Sequence, residues 1–183
     1  YVYKSRPILL NNWEATYFDF DEDKLKPIVD EAKELGIEMF VLDDGWFGHR
    51  DDDNSSLGDW NVYEKKFPQG LKHFADYVHS KDLKFGIWFE PEMISMDSEL
   101  YRSHPEYLMQ VPGRQPSPSR NQYILDMTRK DVRDDIVDQI STIIADNDID
   151  YVKWDMNRNL SDIYSQNLPA DRQGEVYHRY VLG

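Results

Sequence analysis

Four short, largely apolar runs recur along this chain, with helix-patterned stretches between them: Pro7–Asn11, Met39–Leu42, Lys84–Phe89 and Tyr151–Trp154. Apolar side chains on both faces of a strand imply burial on both sides, hence a parallel sheet covered by helices. The intervening patterns agree. Asp21 to Gly36 places Leu25, Ile28, Val29, Ala32 and Leu35 at helical spacing, with Asp21 or Asp23 to cap the start and Gly36 to close the end. Leu71–Ser80 reads as a second helix, and Asp131–Ala145 as a third, with Val132, Ile136, Ile140, Ile143 and Ile144 on one face. This α/β alternation leaves two architectures, a doubly wound sheet or a (β/α)8 barrel. No glycine-rich phosphate loop follows any strand, which counts against a nucleotide-binding sheet. Ser98–Ser103 reads as a short helix, residues 105–120 as a long loop, and Tyr123–Met127 as a short strand. Neither an internal repeat nor a linker is visible, so one domain is expected.

Composition removes several classes of function. Thirty-five acidic residues against 21 basic ones give a net charge of −14. Such a surface repels phosphate, so neither nucleic acid nor an anionic membrane is expected as a partner. The chain has no cysteine, which rules out disulfides and thiolate metal sites and suits a reducing, cytoplasmic setting. No signal-peptide pattern is seen, and no apolar run approaches the roughly 18 residues of a membrane span. The run Asp51-Asp52-Asp53-Asn54-Ser55-Ser56 lacks the spaced ligands of a calcium loop and reads as a solvated loop. His49, His73, His79, His104 and His178 show no paired metal spacing. The serine-hydrolase elbow and the zinc-protease helix motif are both missing.

The chemistry gathers where the strands end. The first strand leads into Trp13-Glu14, the second into Asp43-Asp44 and Trp46, and the third into Glu90 and Glu92 from Trp88. The last supplies Lys153, Trp154, Asp155 and Asn157. In a barrel this C-terminal end of the strands is where active sites are built. Carboxylates beside indole surfaces suit a sugar, whose hydroxyls need fixed acceptors and whose C–H face packs on an aromatic ring. For any one position, core filling or a strand end in solvent is the simpler reading; four together point to a ligand. Asp43 and Asp44 could both reach it where the chain turns, or one could hold the loop. The period of a strand puts Lys153, Asp155 and Asn157 on one face. A cation near Asp155 would keep its carboxylate ionised, as a glycosidase nucleophile must be, although a structural ion pair would look the same.

Four segments together resemble the bacterial α-galactosidases of glycoside hydrolase family 36. They are Asn11-Asn12-Trp13-Glu14-Ala15, Leu42-Asp43-Asp44-Gly45-Trp46-Phe47-Gly48, Gly86-Ile87-Trp88-Phe89-Glu90-Pro91-Glu92 and Lys153-Trp154-Asp155-Met156-Asn157-Arg158. The resemblance runs over nearly the whole chain. It implies a (β/α)8 barrel and retaining hydrolysis of terminal α-galactosides of the melibiose and raffinose type, through a covalent intermediate on Asp155. Asp43 and Asp44 match the pair that holds galactose hydroxyls, Trp88 an aromatic wall, and Arg120 a sugar-contacting arginine. Lys153, Trp154 and Asn157 match the surroundings of the nucleophile, and Trp13 matches more weakly, as do Glu90 and Glu92. Tyr123–Met127 becomes an irregular segment on this analogy, and Tyr151–Asp155 the fourth strand.

The resemblance also implies an acid/base aspartate on a later strand. Asp162 and Asp171 lie in no comparable motif, so that residue is expected beyond residue 183. Residues 1–183 then hold the N-terminal half of the barrel, about four βα units in a single domain, without significant hydrolysis of their own. Neither a metal nor a cofactor is implied; the partner is an α-galactoside, and the parent enzyme is expected to be a homo-oligomer. The competing readings are a related α-glycosidase or transglycosidase on the same barrel, a non-catalytic carbohydrate-binding module, and a purely structural domain.

Overall fold

The computed structural model describes residues 6–183. In chain order its elements are β1 (Leu9–Asn11), α1 (Trp13–Thr16), α2 (Glu22–Glu34), β2 (Met39–Leu42), α3 (Leu71–Ser80), β3 (Lys84–Phe89), β4 (Met93–Ile94), α4 (Glu99–Ser103), β5 (Tyr123–Ile124), α5 (Lys130–Asp146), β6 (Tyr151–Trp154) and α6 (Val176–Leu182). The chain divides into two compact units built of interleaved segments.

The first unit takes the chain up to Asp51 together with Asn61–Phe89 and Thr142–Trp154. Its centre is a four-stranded, all-parallel sheet in the order β1-β2-β3-β6. The two inner strands match the apolar reading: Met39–Leu42 are all buried, as are Phe85–Phe89. The outer two do not. Leu9 on β1 is 46% exposed and Trp154 on β6 is 57% exposed, because each strand has a sheet partner on one side only. Helix α2 starts as expected, with the Asp21 carboxylate accepting from the Lys24 N–H at 2.9 Å. It buries Leu25, Val29 and Ala32, whereas Leu35, counted on the same stripe, lies past the helix end and is exposed. Helix α3 buries Leu71, Phe74, Ala75 and Val78, a spacing of three and four that makes one apolar face. Phe74 meets Phe40 and Phe85 edge-on at 5.9 and 5.7 Å, which docks α3 on the two inner strands.

Gly86 sits between the second and fourth strands of this sheet for a steric reason. A Cβ there would stand 2.9 Å from the Tyr151 ring and 3.1 Å from Val41 Cγ2. Gly86→Val therefore overpacks the sheet, with an expected loss of about 1–3 kcal/mol in chemical denaturation. An unchanged midpoint would show that β6 can move away at no cost.

The second unit contains Asp52–Trp60, Glu90–Ser141 and Asp155–Gly183. Tyr123–Ile124 pairs antiparallel with Met93–Ile94, away from the parallel sheet, so the run read as Tyr123–Met127 is a two-residue strand in a loop region. Helix α4 is short but heavily capped. Ser98 Oγ accepts from the Tyr101 N–H, and the buried Asp59 carboxylate accepts from the N–H groups of Glu99 and Leu100. These bonds satisfy donors that a helix start otherwise leaves open. Helix α5 carries Val132, Ile136 and Ile140 on its buried side.

Three histidines have carboxylate partners: His73 Nδ1 lies 2.5 Å from Glu22, His79 Nε2 lies 2.9 Å from Asp150, and His104 Nδ1 lies 3.0 Å from Glu106. Among the described residues, no helix is long and apolar enough to cross a membrane, and no cluster of side chains is arranged to hold a metal.

Candidate active site

In the first unit, carboxylates follow β2 because the chain must turn sharply there. Gly45 has φ +109, and a Cβ on it would come within 3.1–3.2 Å of Phe20, Phe18 and the Lys66 Nζ. The Asp-Asp-Gly sequence is thus a turn that only glycine fits, and it fixes both aspartates. The Asp43 carboxylate is 4% exposed and densely held. Oδ2 accepts from Lys153 Nζ at 2.7 Å and from Asn11 Nδ2 at 2.5 Å, and Oδ1 accepts from the Asp44 N–H. Asn12 completes the frame by accepting the Asp43 N–H through Oδ1 at 2.8 Å. Consecutive asparagines at the end of β1 thus hold the backbone and the side chain of one aspartate on β2.

Asp44 faces a different partner. Arg50 is 1% exposed and grips it as a fork, Nε to Oδ1 at 2.6 Å and Nη2 to Oδ2 at 2.8 Å. Burial pushes the Asp44 carboxyl above the ordinary aspartate value, outweighing the opposing pull of Arg50, and the Asp43 charge pushes the same way. Sequence reading passed over Arg50, which lies in a polar loop six residues on. Nothing in the local pattern marks it; only the turn at Gly45 brings it back to Asp44.

The tryptophans sort unevenly. Trp46 is fully buried and donates its indole N–H to the Trp88 carbonyl at 2.9 Å. Trp88 is 2% exposed and stacks on Phe47 at 6.1 Å. Trp13 is half-buried, edge-on to Tyr17 and Phe18. It lines an open cleft of about 330 Å³ with Asn11, Val41, Tyr151 and Lys153.

In the second unit, Asp155 is half-buried directly after β6. Oδ1 accepts from the Met156 N–H at 3.0 Å, and Oδ2 accepts from Asn157 Nδ2 at 2.8 Å. Lys153, the cation expected beside it, makes an ion pair with Asp43 in the first unit. Asn157 Oδ1 in turn accepts from Arg120 Nη1 at 2.9 Å. Arg120 stands at the first corner of a two-residue hairpin turn closed by Ser119 and Gln122. Both corners, Arg120 and Asn121, have positive φ, +51 and +58. An arginine in the left-handed region costs energy, and such strain concentrates at functional positions. Glu90 lies at the base of this group, 1% exposed, and accepts from the Asn157 N–H and from Gln122 Nε2.

The expected residues therefore fall into two constellations. Asp43, Asp44, Lys153, Trp88 and Trp13 belong to the first unit, with Trp154 exposed at the end of β6, and Asp155, Asn157 and Arg120 belong to the second. Arg50 and Gln122 are partners that lie outside the motifs, whereas Asn11 and Asn12 lie within the first motif without a role assigned to them.

The Melibiase family model matches residues 1–183. The chain is 74% identical to α-galactosidase Mel36A of Lactobacillus acidophilus over 178 residues, which are 97% of this chain and 24% of that protein. It superposes with a TM-score of 0.96 on the crystal structure of the α-galactosidase from Lactobacillus brevis, at 56% identity, covering 98% of this chain and 24% of that one. A variant of the family 36 α-galactosidase AgaA from Geobacillus stearothermophilus, crystallised with raffinose, gives the same TM-score at 55% identity, over 98% of this chain and 25% of that one. This chain thus spans about a quarter of the length of the curated relatives it matches. Matched end to end by the family model, and sharing the parallel sheet of these enzymes, the chain belongs to the melibiase family, glycoside hydrolase family 36.

Proposed function

We propose that this chain is the nucleophile-bearing part of a retaining α-galactosidase, and that its parallel sheet is the N-terminal half of a (β/α)8 barrel domain. The observation that carries the reading is Asp155. It lies at the C-terminal end of a parallel strand, with its carboxylate held by donors at both oxygens. Donors to both oxygens favour the ionised form, the form that attacks.

In the proposed reaction an Asp155 oxygen forms a bond to the anomeric carbon as the bond to the leaving oxygen breaks. The leaving oxygen takes its proton from a second carboxyl group, which in retaining enzymes stands roughly 5–5.5 Å from the first. Water then cleaves the galactosyl ester and restores Asp155. Two inversions give net retention, and the chemistry draws on carboxylates alone. Asp43 and Asp44 accept from sugar hydroxyls with the lone pairs that Lys153 and Arg50 leave open. Arg120, Asn157 and Lys153 donate to the sugar, while Trp13 and Trp154 shape its apolar side. The substrates are terminal α-galactosides of the raffinose type, the sugar with which the AgaA variant was crystallised.

The test is the anomer released first from an aryl α-galactoside by the full-length protein that carries this chain, followed by NMR. Initial α-galactose is expected, with little turnover of the matching α-glucoside. Initial β-galactose would refute retention, and a preference for the glucoside would refute the substrate. A sugar acceptor that captures most of the product would favour a transglycosidase.

A further inference from the structure

We infer that Glu90 is a positioning residue for Asp155: its buried carboxylate clamps the backbone of Asn157 and the side chain of Gln122, and Asn157 in turn orients the nucleophile. This rests on the function proposed above. Glu90 is 1% exposed, and both of its carboxylate oxygens are engaged within the protein. A carboxylate that deep is costly unless its oxygens are bonded. Oε1 accepts from the Asn157 N–H at 2.5 Å, and Oε2 accepts from Gln122 Nε2 at 2.9 Å.

These two bonds hold the two sides of the Asp155 surroundings. Gln122 closes the hairpin turn that carries Arg120, and its carbonyl accepts from Arg158 Nη1. Asn157 takes the Arg120 guanidinium on Oδ1. A guanidinium only donates, so the amide oxygen must face it, and the Nδ2 group is thereby turned toward Asp155 Oδ2. The carboxylate orientation is set by Asn157, and the position of Asn157 is set by Glu90. Burial and the nearby Asp155 charge both push the Glu90 carboxyl above the ordinary glutamate value. The chain keeps an acid there against its own electrostatics, where an apolar residue would be cheaper.

The experiment compares Glu90→Ala, Glu90→Asp and Glu90→Gln in the full-length protein by the rate at which a mechanism-based fluorogalactosyl fluoride labels Asp155 at saturation. Melting curves on the same samples report folding. The Ala and Asp variants remove or shorten the clamp, and each should label about a hundredfold more slowly while remaining folded, the scale of a misplacement of about 1 Å. The Gln variant keeps an acceptor for the Asn157 N–H. Gln122 Oε1, buried without a partner among the described residues, can turn to receive its new amide, so labelling should return to within about fivefold of wild type. If the Ala variant fails to fold, the Asp variant decides. Folded variants that label at the wild-type rate would overturn the inference while leaving the nucleophile assignment intact. An Asp155→Asn protein with unimpaired turnover would instead remove the function itself.

Discussion

Replacing Asp155 with asparagine in the full-length protein lowers kcat for an aryl α-galactoside by at least about a thousandfold, with the fold unchanged. Losses of that size follow removal of a covalent nucleophile, whose absence no neighbouring group makes good. The substitution is nearly isosteric. The Met156 and Asn157 donors that hold the carboxylate oxygens still have one acceptor oxygen to meet, so stability should barely change. Asp155→Gly adds a sharper readout. It opens space for azide, which can attack the anomeric carbon in place of the carboxylate and so release β-galactosyl azide. Recovery of that product identifies the missing group as the nucleophile; recovery of the α-azide would assign Asp155 the acid/base role.

The second large effect concerns stability. Arg50→Met should cost about 3–5 kcal/mol, because it strips the fork-shaped partner from a carboxylate that is 7% exposed. The double variant Asp44→Asn with Arg50→Met should regain part of that loss, since no charge is then stranded. The pH dependence has a definite sign. With its cation gone, Asp44 binds a proton more tightly folded than unfolded. The folded state then holds more protons, and stability falls as pH rises above the ordinary aspartate range near 3.9. Denaturant midpoints of the single variant across that range should decrease with pH relative to wild type. A flat difference would mean that Asp44 finds another cation.

The parts of the fold that could be read in advance are those governed by local pattern. Leu71, Phe74, Ala75 and Val78 announce α3 by spacing alone, and Asp21 announces the start of α2. MFVL reads as a strand buried on both faces and is one, because it has a sheet neighbour on either side. The same reasoning misjudged β1. Apolarity records what a strand is built to cover, and Leu9 lies on a strand that has one sheet partner among the described residues. Tyr123–Met127 has strand-like composition, yet only Tyr123 and Ile124 form a strand, paired with the distant Met93–Ile94, while Leu125 adds a single bridge to Leu108.

The candidate site divides the same way. Aspartates at strand ends were visible as types and positions. Their partners were not, since pairing follows from turns and register. The ion pair of Lys153 with Asp43 carried no signal in the spacing: the parallel register sets Lys153 against Trp88, and its Nζ reaches Asp43 from there. Trp88 was read as an aromatic wall from its place in the motif; its ring is buried on Phe47, a packing choice that no spacing reveals. Arg50 and Gln122 carry no motif at all, and their importance comes only from being buried beside acids.

The central claim is that Asp155 forms the covalent bond to the sugar. The most direct measurement is to inactivate the full-length protein with a mechanism-based fluorogalactosyl fluoride, digest it, and locate the added mass by peptide sequencing. One fluorogalactosyl group per active protein, attached to Asp155, is the predicted result. Stoichiometric attachment to Asp43, Asp44 or any other carboxylate, with Asp155 unmodified, would contradict it.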